Sequence, residues 1–334
     1  TGVSICRLQD YVDLFSGLPL DSISVSQSLP AAFAMAGTYL AARELGVEAK
    51  GLRGSVIQTP LYCDDSGYFI GMPVKLRLRL SRDSIEFATH EMPKFHAFLE
   101  DSYYISEGGI DGVEEMALAF IEIRHITRDL IARGLDIDAF APRIAILLNC
   151  HMDFFETVAK IRATRRLFAR MMKDEFKAQD PRSLACNIAS HTSGLSMTAQ
   201  QPVNNIARGT AQTLALAMAG VQAIEISTFD EAFRTPSPEA HLVGLRTQQV
   251  VALETNVSQV ADPLGGSYFV EALTDDMEKR IWQMVEEIEA AGDAADLAEK
   301  GYFRELFIKA MERRAAQVDD GTLMQVGVNC HQIA

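Results

Sequence analysis

Residues 143–150 read RIAILLNC, with five apolar side chains in a row and no polar residue between them. A strand wetted on one face alternates apolar with polar, so an unbroken apolar run is expected where both faces are covered, as in a parallel sheet flanked by helices. Working outward, similar short runs occur at 2–6, 22–28, 54–59, 96–103, 184–191 and 222–229, which makes seven candidate strands. Segments of helical period alternate with them at 8–16, 30–45, 83–90, 112–132, 154–176, 202–219 and 238–254. Seven successive βα units predict an α/β fold, and a (β/α)8 TIM barrel better than a doubly wound sheet. A barrel short of one stave exposes two strand edges, so the first strand is expected upstream of Thr1, on the same polypeptide or on another piece. The domain reading is a substrate-binding barrel over 1–256 followed by a helical linker segment over 257–334, with charged amphipathic helices at 274–291 and 301–316.

The chain has 334 residues, 48% hydrophobic and 23% charged, which is enough for a large core and excludes disordered or stapled scaffolds. Its 31 Lys and Arg against 45 Asp and Glu give a net charge of −14, which argues against nucleic acid as a partner. The cysteines, Cys6, Cys63, Cys150, Cys186 and Cys330, form no CxxC pair and read as free thiols of a reducing compartment. With no long uncharged apolar run and no signal-peptide pattern, the expectation is a cytoplasmic protein without a membrane partner.

Barrel chemistry sits on the loops after the strands. Polar residues recur there: Gln58; Tyr103, Tyr104 and Glu107; Asn149 and His151; His191, Thr192 and Ser193; Thr228, Asp230 and Glu231. Any one alone reads more readily as a cap or packing residue; their recurrence at one end of successive strands marks a site. His151 with Asp153 lacks a third ligand, so no metal is expected, and Ser193, His191 and Asp230 lack a nucleophile elbow. The glycines of 262–268 match neither a dinucleotide nor a P-loop pattern. The run KIRATRRLFARMMKDEF, 160–176, carries Arg162, Arg165, Arg166 and Arg170. These form either a solvated helix face or a cationic surface for phosphates, and Arg162, nearest the helix start, is the candidate.

The stretches IRATRRLFARMM, HTSGLSMTAQQPVNNIARGTAQTLALAMAGVQAIEISTFDEA, TPSPEAHLVGLRTQQVV and VADPLGGSYFVE resemble the catalytic barrel of adenosylcobalamin-dependent acyl-CoA mutases, the methylmalonyl-CoA mutase family. FSGLPLDSISVSQSL, GSVIQ, GLDIDAFAPRI and VGVN extend the resemblance over nearly the whole chain. It implies an isomerase whose barrel encloses acyl-CoA and caps adenosylcobalamin held by a separate domain, in cis or in trans, within a homodimer or mutase heterodimer. The D-x-H-x-x-G motif of that domain does not occur in this sequence. The resemblance implies that Gln58 hydrogen-bonds substrate, Tyr103 lies beside it, and Arg162 contacts CoA, with Thr164 and Thr228 on the same binding surface. It implies that Glu107 holds the adenosine ribose, with Gly194 and Glu231 facing the cofactor.

Three departures bear on the substrate. SYYISEGG places Tyr104 where the family has a His on the thioester carbonyl; ASHTSG places Ala189 and His191 where it has His and Gln; and 58–73, QTPLYCDDSGYFIGMP, contains no Arg to clamp a substrate carboxylate. These variants look most like the branch converting ethylmalonyl-CoA to methylsuccinyl-CoA, with His191 donating to the carboxylate and Tyr104 to the thioester carbonyl. Methylmalonyl-, isobutyryl- or 2-hydroxyisobutyryl-CoA as substrate, or a noncatalytic mutase-like subunit, are the alternatives.

Overall fold

The computed structural model describes residues 4–28, 30–62 and 71–333. Six parallel strands, β1 (Ser24–Gln27), β2 (Arg53–Gln58), β3 (Phe95–Asp101), β4 (Ile144–Cys150), β5 (Asn187–Thr192) and β6 (Ala223–Glu225), lie side by side in chain order. Helix α1 (Leu8–Phe15) precedes β1, α2 (Ala31–Glu44) leads to β2, and α3 (Val74–Glu91) leads to β3. Between β3 and β4 lie α4 (Ser102–Ser106), α5 (Gly112–Ala132) and α6 (Ile137–Phe140). Then α7 (Phe154–Arg170) and α8 (Asn204–Ala219) make the next two crossovers, and α9 (Pro238–Glu254) follows β6. The chain continues through α10 (Tyr268–Ala291), α11 (Ala294–Glu299) and α12 (Tyr302–Asp319). A strand order that never reverses is the winding of a barrel wall, so the sheet is a curled, partial TIM-barrel wall.

The two faces of this wall separate by side-chain alternation. Val56, Phe98, Ile144, Ile146, Leu148 and Ile188 point outward into the main core shared with the helices. Ile57, Leu99, Ala145 and Leu147, with Tyr103 and Ala189, form a second, smaller cluster on the inner face. Ser26 and Ser55 meet on that inner face, their hydroxyls 2.8 Å apart. Helix α10 packs across α5 and α7, burying Val270, Met277, Ile281, Val285 and Ile288 at helical spacing.

Several boundaries differ from expectation. The strand expected at 2–6 is not formed by Ser4–Cys6, which run irregularly into α1, and residues 1–3 lie outside the described residues. The strand expected over 96–103 stops at Asp101 because the Asp101 carboxylate accepts the Tyr104 N–H at 3.2 Å and starts α4. The strands expected at 184–191 and 222–229 shorten to 187–192 and 223–225. The helix expected over 83–90 begins at Val74: Lys75, Arg77, Arg79 and Arg82 disguise its period, yet Arg77 is buried and donates to the carbonyls of Pro60 and Met72, both at 2.8 Å. The helix expected over 154–176 ends at Arg170 and widens into a π turn, Met171–Glu175.

Behind β3, the side chains of Glu100, Asp101 and Glu122 are wholly buried, and both Glu100 oxygens, Asp101 Oδ2 and Glu122 Oε2 lack a hydrogen-bond partner. Burial raises all three carboxyls, Asp101 to about 8. Their folded pKa values exceed the unfolded ones, so their contribution to stability is complete below the ordinary carboxylate range and is lost as pH rises toward 8. The urea midpoint of this chain is expected to fall between pH 5.5 and 8.5, with a shallower fall in Glu122→Gln; equal slopes in the two would remove Glu122 from the account.

Candidate functional site

The short helix α4 directs Tyr103 back over the inner face at the carboxyl end of β3, where it is buried, while Tyr104 stays exposed. His191, on the inner face of β5, stacks on the Tyr103 ring with centroids 4.3 Å apart and planes tilted 28°. The Tyr104 ring meets Tyr103 edge-on at 5.2 Å. His191 Nδ1 lies 2.6 Å from the carbonyl of Thr192, and since a carbonyl only accepts, Nδ1 carries the proton. That leaves Nε2 facing the exposed carboxylate of Glu225 at 3.7 Å.

Glu107, at the end of α4, is the hub of the rim. Its Oε1 accepts from Asn149 Nδ2 at 2.7 Å and Ser193 Oγ at 2.8 Å, and its Oε2 accepts the Leu195 N–H at 2.8 Å. This ties the ends of β3, β4 and β5 together. Gly194 is required by the approach: a Cβ there would lie 2.8 Å from Glu107 Oε2. Asn149 Oδ1 is buried without a partner, an acceptor left open beside the hub. His151 donates to or accepts from Ser106 Oγ at 2.9 Å, and burial pulls its pKa down to about 3. It is therefore a neutral packing group, and no cluster of three potential metal ligands exists among the described residues.

The structure brings Tyr103, Tyr104, Glu107, His191 and Gly194 to one end of the wall, and it removes others from it. Gln58 follows inward-facing Ile57, so alternation turns it outward, where its amide donates to Ser84 Oγ at 3.2 Å and to the Ala97 carbonyl. A bulge between β2 and β3 shifts the register in this stretch. In this structure Gln58 thus locks β2 to the helix layer. Arg162 is held by Asp262 and by Glu271 at 2.6 Å, so α10 and its preceding turn occupy the guanidinium expected to meet CoA. Thr164 is fully buried, donating to the Lys160 carbonyl at 2.8 Å beside Met116, and does not reach the inner face. Thr228 and Glu231 lie on the rim but bind each other, the Thr228 N–H to Glu231 Oε2 at 2.9 Å, while Thr228 Oγ1 donates to Asp230. Asn149 and Ser193 stand at strand ends and were legible; Glu225 was not, because a carboxylate on a three-residue edge strand looks like a solvated charge.

A parallel barrel wall whose strand ends converge an aromatic pair, an imidazole and a tethered carboxylate carries its candidate site where α/β barrels place theirs. The family model described as methylmalonyl-CoA mutase matches residues 1–334, and the chain belongs to that family. It is 34% identical to the methylmalonyl-CoA mutase of Rhizobium meliloti over 99% of this chain and 47% of that protein. It is 34% identical to the 2-hydroxyisobutanoyl-CoA mutase large subunit of Aquincola tertiaricarbonis over 98% of this chain and 59% of that protein. The human mitochondrial methylmalonyl-CoA mutase is 32% identical over 99% of this chain and 44% of its own length. The chain thus spans about half the length of the curated relatives it matches. No helix among the described residues is long and apolar enough to cross a membrane.

Proposed function

We propose that this chain is the substrate barrel of an adenosylcobalamin-dependent acyl-CoA mutase, an isomerase that converts ethylmalonyl-CoA to methylsuccinyl-CoA. The observation that carries the reading is the stacked Tyr103–His191 pair on the inner face, in place of the Gln that the family pattern has at the His191 position. The inner face supports a threaded ligand. Ordinary barrels fill their interior with bulky branched side chains, whereas here the small Ser26, Ser55, Ala145 and Ala189 stand among Ile57, Leu99 and Leu147 on the inner face. His191 donates to the substrate carboxylate, and exposed Tyr104 offers its hydroxyl to the thioester carbonyl. In this reading residues 1–256 bind substrate and 257–334 form the helical segment after the barrel, in a cytoplasmic dimer or heterodimer completed by a cobalamin-binding domain.

Two features support the fit of the cofactor at the rim: Glu107 Oε2 accepts a single hydrogen bond and retains acceptor capacity for a ribose hydroxyl, and buried Asn149 Oδ1 has no partner. When bound, adenosylcobalamin supplies the radical chemistry that rearranges the carbon skeleton. The chain's own residues orient the acyl group and exclude water from it. The test is turnover by the assembled protein with adenosylcobalamin, offered ethylmalonyl-, methylmalonyl-, isobutyryl- and 2-hydroxyisobutyryl-CoA in parallel and followed by mass spectrometry. Methylsuccinyl-CoA is expected as the dominant product; preference for another substrate overturns the pocket reading, and no turnover of any overturns the enzyme.

A further inference from the structure

Behind the rim, Lys160 of α7 and Glu115 of α5 form an ion pair at 2.5 Å with both side chains buried. Its surplus hydrogen-bonding capacity converges on the backbone of one residue, Asn149. Lys160 Nζ donates to the Asn149 carbonyl at 2.5 Å, and Glu115 Oε1 accepts the Asn149 N–H at 2.6 Å. The reason lies in the sheet. Strand β3 pairs with β4 only as far as Asp101 opposite Leu147, because the chain then turns into α4. On that edge of β4, the Leu147 carbonyl is met by Ser102 Oγ at 3.1 Å, and the next peptide groups on the same edge are those of Asn149. They have no strand to bind, and a buried unpaired N–H and C=O are costly. The ion pair takes the place of the missing strand.

Asn149 passes this anchoring on. Its Nδ2 donates to Glu107 Oε1 and, at 3.2 Å, to Ser106 Oγ, and Glu107 in turn holds Ser193 and the Leu195 N–H. We propose that Lys160 and Glu115 are positioning residues that set Glu107 through the Asn149 peptide, tuning how the rim receives its ligand rather than merely joining two helices. This rests on the reading of Glu107 as a cofactor-holding group, while the positioning itself is measurable without the cofactor.

The experiment compares the full protein carrying Glu115→Gln with Lys160→Met, which removes both charges together so that neither is left unpaired in the core, with the same pair of changes in an Asn149→Ala background. Expected in the first chain are a modest fall in the urea midpoint, because Lys160→Met leaves the Asn149 carbonyl unpaired, amide exchange at Leu195 faster by roughly tenfold and out of proportion to that fall, and adenosylcobalamin affinity weaker by on the order of tenfold, with KM for acyl-CoA unmoved. With Asn149→Ala already present, the paired change is expected to add nothing to either effect. Leu195 exchange at the wild-type rate, or effects that add fully to those of Asn149→Ala, overturns the proposal and leaves a structural ion pair. If the chain fails to fold, Glu115→Gln with Lys160→Gln, which keeps an amide donor toward the Asn149 carbonyl, carries the same comparison. Leu195 exchange is read without corrinoid, so a wild-type protein that does not bind adenosylcobalamin overturns the functional reading alone.

Discussion

Alanine at His191 is expected to leave a folded chain whose assembled enzyme turns over about 10- to 10²-fold more slowly, the effect of losing a hydrogen bond to a charged group worth about 1.5 to 3 kcal/mol. The fold should survive because His191 is a partly exposed residue of the inner face, touching Tyr103, Glu225 and local backbone, and is no part of the helix-facing core. Loss of the stacked pair costs about 0.5 to 1.5 kcal/mol of local order. Glutamine at 191 restores an amide donor but not the ring that stacks on Tyr103, so activity toward a substrate bearing a free carboxylate should recover only in part. Near-wild-type kcat in His191→Ala would sink the assignment of the carboxylate to this ring.

The second large effect is on stability. Gly54 of β2 faces outward between β1 and β3, and an added Cβ would lie 2.1 Å from the Val25 carbonyl oxygen and 2.7 Å from the Phe95 ring. The first contact is with backbone that is itself paired in the sheet, so no side-chain rotation relieves it. Gly54→Ala must spread β1 from β2 or displace the strand, at a cost of on the order of 3 kcal/mol, the upper end for overpacking. A urea titration is the check: a midpoint equal to that of the wild type would mean that the wall is far more compliant than its register implies. Alanine at Gly51, where a Cβ meets nothing within 4 Å, is the control that should leave the midpoint unchanged.

What could be read in advance divides along physical lines. The apolar run ending in Asn149 and Cys150 declared a doubly covered strand, and helix α5 was legible to the residue. Its capping box, Asp111 with Glu114, sits on the local sequence, and the Asp111 carboxylate accepts the Val113 and Glu114 N–H groups at 2.9 Å. The start of α3 was not legible, because the burial of Arg77 depends on carbonyls of Pro60 and Met72, supplied by another stretch of chain. The site divides in the same way. Glu107, His191 and Tyr103 could be placed at strand ends from spacing alone, and Gly194 from the resemblance. Which way Gln58 points could not, since a period of two makes one residue of register the difference between the inner face and the helix layer.

The sequence by itself determined the order of strands and helices, the family and the end of the wall at which polar groups gather, because these follow from local periodicity, caps and residue type. Only the tertiary structure decided that Arg162 is claimed by Asp262 and Glu271, that Thr164 is sealed between helices, and that Lys160 and Glu115 grip the Asn149 peptide. Glu115 and Asn149 stand 34 residues apart in the chain, and Arg162 and Glu271 stand 109 apart. Charge pairing and desolvation across such distances are settled by packing, which no local pattern encodes.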